Sequence, residues 1–171
     1  ERDEMMENFQ SKLLRILAVD DEQAMLNIYQ QVFSSENKDP NSSLKLEELT
    51  DEFFEENIPG SSPQLFEIVL CQQGDEAIAE VEKSLEENRP FAVAFLDVRM
   101  PPGLDGIWAA EQIRALDPYV EIVMVTEDSD VDPRDIVHRV PPVHKLLYVQ
   151  KPIHPKEINQ FASALGSKWQ A

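Results

Sequence analysis

Four short apolar runs in this chain each stop at a polar side chain, and that pattern leaves few folds open. Leu13 to Val19 stops at Asp20-Asp21, Phe91 to Leu96 at Asp97, Ile122 to Val125 at Thr126, and Leu146 to Val149 shortly before Lys151-Pro152. Runs of this length and composition suit strands buried on both faces, and Leu65 to Gln72 reads as a fifth. Buried strands of this kind belong to parallel sheets, whose ligands bind outside the carboxyl ends of the strands. The polar residues at the run ends are therefore expected to meet in one crevice.

Amphipathic stretches separate the runs. Glu22 to Phe33 carries Met25, Ile28, Tyr29 and Val32 at helical spacing, and Gly74-Asp75-Glu76 opens a helix with Ala77, Ile78, Val81 and Leu85 expected inward. Gly106 to Leu116 has Ile107, Ala110 and Ile113 as its stripe. Asp132-Pro133 supplies an N-cap followed by a first-turn proline for a short helix reaching Arg139. From Pro155, the positions Ile158, Phe161, Ala162, Leu165 and Trp169 describe a last helix.

Strands that alternate with helices, through connections too long for hairpins, predict a parallel sheet covered on both faces. Right-handed crossovers then favour an α/β, flavodoxin-like, doubly wound sheet in the order 2-1-3-4-5. Strands one and three are neighbours at its switch point, so Asp20, Asp21 and Asp97 should converge. Two segments stand outside this frame: an acidic N-terminal extension, 1–12, and an insertion, 34–64, after the first helix. Turn clusters bracket an acidic stretch in the insertion, where Leu46, Leu49 and Phe53 suggest a short helix. The remainder, 13–171, is expected to be one domain.

Charge narrows the partners. The 171 residues hold 15 Lys plus Arg against 33 Asp plus Glu, a formal charge of −18, which opposes nucleic acid as a ligand. Cys71, the single cysteine, lies inside an apolar run and reads as a packed core thiol in a reducing compartment. The chain starts without the basic and apolar order of a secretory signal, and no apolar stretch approaches the ~20 residues of a membrane span. A cytoplasmic protein without membrane contact is the expectation.

Three carboxylates in one crevice repel one another, which requires either raised pKa values or a bound cation. Mg²⁺ suits such a pocket because it takes one or two carboxylates, keeps waters and leaves room for phosphate oxygens. Beside it, a carboxylate at Asp97 can attack phosphorus, while the Thr126 hydroxyl and the Lys151 ammonium receive charge on the transferring group.

The quoted residues, together with Gly74-Asp75-Glu76-Ala77, Leu96-Asp97-Val98-Arg99-Met100-Pro101, Asp105-Gly106 and Tyr148-Val149-Gln150-Lys151-Pro152, resemble the receiver domain of two-component response regulators, the CheY-like family. The resemblance covers about Leu13 to Leu165 apart from the insertion. It implies that Asp97 accepts a phosphoryl group from a histidine kinase or histidine phosphotransfer protein. Mg²⁺ would be held by Asp21, Asp97 and the backbone carbonyl of Arg99, with Asp20 on a metal-bound water. Thr126 and Lys151 would contact the phosphoryl oxygens. Thr126 and Tyr148 would form the switch that changes the surface of the fourth helix, fifth strand and fifth helix, which is also a plausible homodimer face. Arg99, Glu127 and Asp128 occupy positions that tune phosphate lifetime in this family. The protein would catalyse only its own phosphorylation and dephosphorylation, and any output domain would lie outside this chain.

Departures from the family pattern are visible too. The loop from Met100 to Gly106 is one residue longer than the common pattern, and Glu127 stands where a small residue is usual. Val140 to Lys145 lacks the usual small-residue approach to the fifth strand. Glu127 favours an alternative, a receiver-like interaction module that works without phosphate. An aspartyl-intermediate phosphatase of the haloacid dehalogenase type ranks last, since Arg99 stands where a second acid would be wanted. His138, His144 and His154 read as surface histidines, and Trp108 and Trp169 as helix-packing residues. The acidic start and the abrupt Trp169-Gln170-Ala171 end suggest a piece of a longer protein.

Overall fold

A computed structural model describes residues 13–34, 64–100, 105–127 and 132–171. The elements run β1 (Leu13–Val19), α1 (Gln23–Phe33), β2 (Leu65–Cys71), α2 (Gly74–Glu86), β3 (Val93–Asp97), α3 (Gly106–Leu116), β4 (Glu121–Thr126), α4 (Pro133–Arg139), β5 (Leu146–Gln150) and α5 (Pro155–Gln170). The strands form one parallel sheet in the expected order β2-β1-β3-β4-β5. Both segments set apart in the sequence, the extension and nearly all of the insertion, lie outside the described residues.

Two cores flank the sheet, because successive strand side chains point to opposite faces. Leu14, Ile16 and Ala18 of β1, Val93 and Phe95 of β3, and Val123 and Val125 of β4 pack against Tyr29 and Phe33 of α1 and Ile158 and Ala162 of α5. The other face gathers Leu17, Val19, Ala94, Leu96, Ile122 and Met124 beneath α2, α3 and α4. β1, β3 and β4 are central, and nearly all of their apolar side chains are sealed. At 25–30 cal/mol per Å² of apolar area removed from water, these three strands and the helix faces packed on them supply burial that offsets chain entropy.

Helix starts follow local chemistry. Asp105 Oδ1 accepts from the Trp108 backbone N–H at 2.9 Å, and Asp132 Oδ1 accepts from the Arg134 N–H at 2.9 Å, with Pro133 in the first turn. α1, with Glu22 at its N-cap, and α2 begin without such a side-chain bond, and in α2 the cost is visible. Its N-cap position is Gln73, whose side chain makes no cap hydrogen bond and whose Oε1 is buried without a partner among the described residues. Gln is one methylene too long for the turn that Asn or Ser closes at such a site. Leu85 also departs from expectation: it is 37% exposed, and the inward stripe runs through Ala77, Val81 and Ser84, whose hydroxyl donates to the Val81 carbonyl. Among the described residues, no helix is long and apolar enough to cross a membrane.

Replacing Gln73 with Asn removes the orphaned acceptor and supplies the missing cap. Urea denaturation of Gln73→Asn should show stability raised by about 1 kcal/mol; an unchanged or lowered midpoint would show that the helix start is satisfied by other means.

Candidate functional site

β1 and β3 are adjacent although α1, β2 and α2 intervene in sequence, and this pairing carries Asp20, Asp21 and Asp97 to the same sheet end. The ladder continues past the strands: the Asp20 N–H donates to the Cys71 carbonyl at 3.1 Å, Val98 N–H to Val125 at 2.9 Å, and Lys151 N–H to Thr126 at 2.7 Å. Five chain segments are thereby fixed in register around one crevice. Each of the three aspartates offers an oxygen within 4.8 Å of those of the other two.

Lys151 spans the group. Its Nζ lies 3.2 Å from Asp20 Oδ2 and 3.5 Å from Asp97 Oδ2, with both carboxylates buried and the lysine partly so. Asp20 is further held by its other oxygen, Oδ1, which accepts from the Glu22 N–H at 2.9 Å. Thr126, 1% exposed, closes β4 beside it. The expected acids, hydroxyl and amine are thus brought to one end of the sheet.

One ammonium does not balance this much buried negative charge. Burial, and then the charge of Asp20, push the Asp97 carboxyl up to about 7, against the opposing pull of Lys151 and of a hydrogen bond from the Arg99 backbone. Asp20 is also raised, burial again leading. Burial pulls Lys151 down, yet the two carboxylates outweigh it and hold the ammonium above its ordinary range. An all-oxygen donor set with surplus negative charge fits a hard divalent cation such as Mg²⁺.

Three further expected participants lie among the described residues. Tyr148 is half-buried in β5, opposite Met124 and against the core beneath α2, α3 and α4. Arg99 and Glu127 are exposed, and Asp128, their expected companion, lies outside the described residues, as does 101–104 of the loop leading to Gly106. His138, His144 and His154 are exposed, and Cys71 is a buried thiol pushed up to about 12 by burial. Trp169 packs in the α1 and α5 core.

Sequence reasoning named Gly106 but not its task. A Cβ there would stand 1.7 Å from the Asp97 backbone oxygen, and the Gly106 N–H donates to the Val98 carbonyl at 2.7 Å. The first turn of α3 therefore lies directly on the backbone that presents Asp97. An Asp-Gly pair opening a helix hints at a cap; only the close approach of β3 shows why no side chain fits.

The sequence matches the family described as response regulator receiver domain over residues 57–163. That range includes Asp97, Thr126, Tyr148 and Lys151, while Asp20 and Asp21 precede it and join them through the β1 and β3 pairing. No curated protein matches the chain. Among solved structures, the fold is similar to the CheY-like response regulator receiver domain protein of Methanospirillum hungatei JF-1, with a TM-score of 0.63 and 20% identity over 92% of this chain and 97% of that one. It is also similar to chemotaxis protein CheY4 of Vibrio cholerae, at 0.59 and 19% over 90% and 98%. A third likeness is the N-terminal domain of a response regulator/sensory box/GGDEF 3-domain protein of Carboxydothermus hydrogenoformans, at 0.58 and 12% over 91% and 96%.

Two outcomes follow from this geometry. The Asp97 proton is bound more tightly in the folded chain than at the ordinary value of 3.8, so without divalent cation its contribution to stability is lost as pH climbs from about 4 through about 7. In chelator, Asp97→Asn should therefore gain on the parent across that window, measured by denaturation midpoints; a constant difference would contradict it. Gly106→Ala should cost roughly 1–3 kcal/mol or more through overpacking against β3, and a wild-type melting curve would show that the contact relaxes freely.

Proposed function

This chain belongs to the response regulator receiver domain family, and from that membership we propose that it is a phosphoacceptor in a two-component or phosphorelay system, with Asp97 as the accepting residue. The observation that carries the reading is the convergence of three carboxylates within 4.8 Å, with the Lys151 ammonium against two of them. In the proposed reaction an Asp97 carboxylate oxygen forms a bond to phosphorus as the phosphorus–nitrogen bond of a phosphohistidine breaks. The donor is a histidine kinase or a histidine phosphotransfer protein, and the imidazole leaves with the bonding electron pair.

Lys151 takes up charge on the phosphoryl oxygens, and the Thr126 hydroxyl donates to them. Asp21, Asp97 and the Arg99 backbone carbonyl would hold Mg²⁺, with Asp20 acting through a water. When bound, the cation supplies positive charge that keeps Asp97 ionised and offsets the phosphoryl charge. Thr126, drawn toward the new group, and Tyr148, turning further inward, would change the surface of α4, β5 and α5. This is also the surface through which a homodimer or an output module would be engaged. Arg99 and Glu127, exposed at the crevice, and Asp128 would set how long the acyl phosphate survives. The activity is confined to the chain's own phosphorylation and dephosphorylation, in the cytoplasm.

Glu127 favours a second reading, an interaction module that keeps the fold and dispenses with phosphate, because its carboxylate follows Thr126 directly where the donor must approach. Intact mass after incubation with Mg²⁺ and acetyl phosphate separates the two. The native chain should gain one phosphoryl group and Asp97→Asn none. At limiting Mg²⁺ labelling should fall as pH drops below about 7, where Asp97 takes up its proton, and added Mg²⁺ should move that limb to lower pH. A native chain that stays unmodified under these conditions would favour the phosphate-independent module.

A further inference from the structure

A second ion cluster lies at the opposite end of the strands. Glu121, the first residue of β4, is 1% exposed; its Oε1 lies 3.3 Å from Lys145 Nζ and its Oε2 lies 3.4 Å from Lys168 Nζ. Lys145 immediately precedes β5 and also reaches the Tyr119 carbonyl at 3.4 Å, while Lys168, in the last turn of α5, also donates to the His144 carbonyl. Arg114 of α3 is buried alongside and donates to the Lys145 carbonyl at 2.8 Å. One buried carboxylate therefore ties the start of β4, the approach to β5 and the far end of α5.

The geometry points to Glu121 as a positioning residue that transmits occupancy of the Asp97 site to the C-terminal turn of α5. The inference rests on the reading of Asp97 as a phosphoacceptor and goes beyond it by naming where the signal leaves the domain. β4 and β5 each have a terminus at both clusters: Thr126 and Lys151 at the acidic crevice, Glu121 and Lys145 at the other end. β5 has one strand neighbour among the described residues, β4, and is only partly buried, so the side-chain ties at its two ends add to the backbone ladder in placing it. A new anion that claims the Lys151 ammonium changes the first tie. A strand displaced along its axis or tilted by that change moves Lys145, and Glu121 shares the displacement with Lys168. Two lysines on one sealed carboxylate hold it in a way that neither would alone, since breaking either contact leaves buried charge poorly matched.

Hydrogen exchange read by mass spectrometry tests this on the full chain. With Mg²⁺ and beryllofluoride, an acyl phosphate mimic, exchange should change at 143–150 and at 164–171. In Lys168→Met, where Glu121 keeps Lys145 and the fold is least disturbed, acetyl phosphate should still label Asp97 and 143–150 should still respond. The change at 164–171 should be lost. Glu121→Gln should give the same loss at the helix end. A helix end that responds in Lys168→Met as in the parent would overturn the coupling, as would a parent whose helix end never responds while Asp97 is labelled. A parent that cannot be labelled at Asp97 would instead bring down the phosphoacceptor reading and this inference with it.

Discussion

Lys151 sits between two buried carboxylates, Asp20 and Asp97, that are otherwise held by backbone N–H groups, and the arrangement of the sheet ends depends on that contact. Moving a carboxylate or an ammonium out of water costs several kcal/mol per ion even after relaxation, so each member is tolerable only while the others are present. The ladder supplies the register that makes such a contact possible: three neighbouring strands deliver their polar ends to the same height, and the backbone bond from Lys151 to Thr126 fixes where the lysine starts. What remains unbalanced is negative. A site that folds short of positive charge is ready for a cation, and a cation brings with it an affinity for phosphate oxygens.

The chain solves the same electrostatic problem twice with opposite polarity. At the crevice one ammonium serves two acids; at the far end one acid serves two ammoniums. The first leaves surplus negative charge on clustered carboxylates, which is a reactive condition. The second is saturated, which is a mechanical one. α5 spans the two, beginning at Pro155, just beyond Pro152, and carrying Lys168 in its last turn, so a single helix has one end near the chemistry and the other at the saturated joint.

The sheet order and the crevice were readable from the sequence because they rest on local contrasts. An apolar run halted by Asp or Lys marks a strand end, and strand alternation with helices narrows the topology to a few without knowledge of any contact. Leu85 was placed inward because it continues a plausible stripe, but the true stripe is narrow enough for Ser84 to take the buried position, its hydroxyl satisfied by the helix's own backbone. Glu121 was invisible for a different reason. A charge at a strand boundary reads as surface, and only Lys145 and Lys168, 24 and 47 residues further along the chain, make its burial affordable. The steric role of Gly106 was likewise hidden, since it depends on how closely β3 passes beneath α3. Pattern identifies what a segment prefers by itself; it is silent where distant segments license a residue that would otherwise be misplaced.

In a parallel sheet every strand starts at one rim and finishes at the other, and α1 hands the chain back to the starting rim, where β2 begins at Leu65. The insertion is therefore attached at the pole away from Asp97. Additions at that joint can grow, shrink or be exchanged for a foreign domain while the reacting groups keep their spacing. The architecture in this way separates the point of insertion from the reacting groups by the length of the sheet.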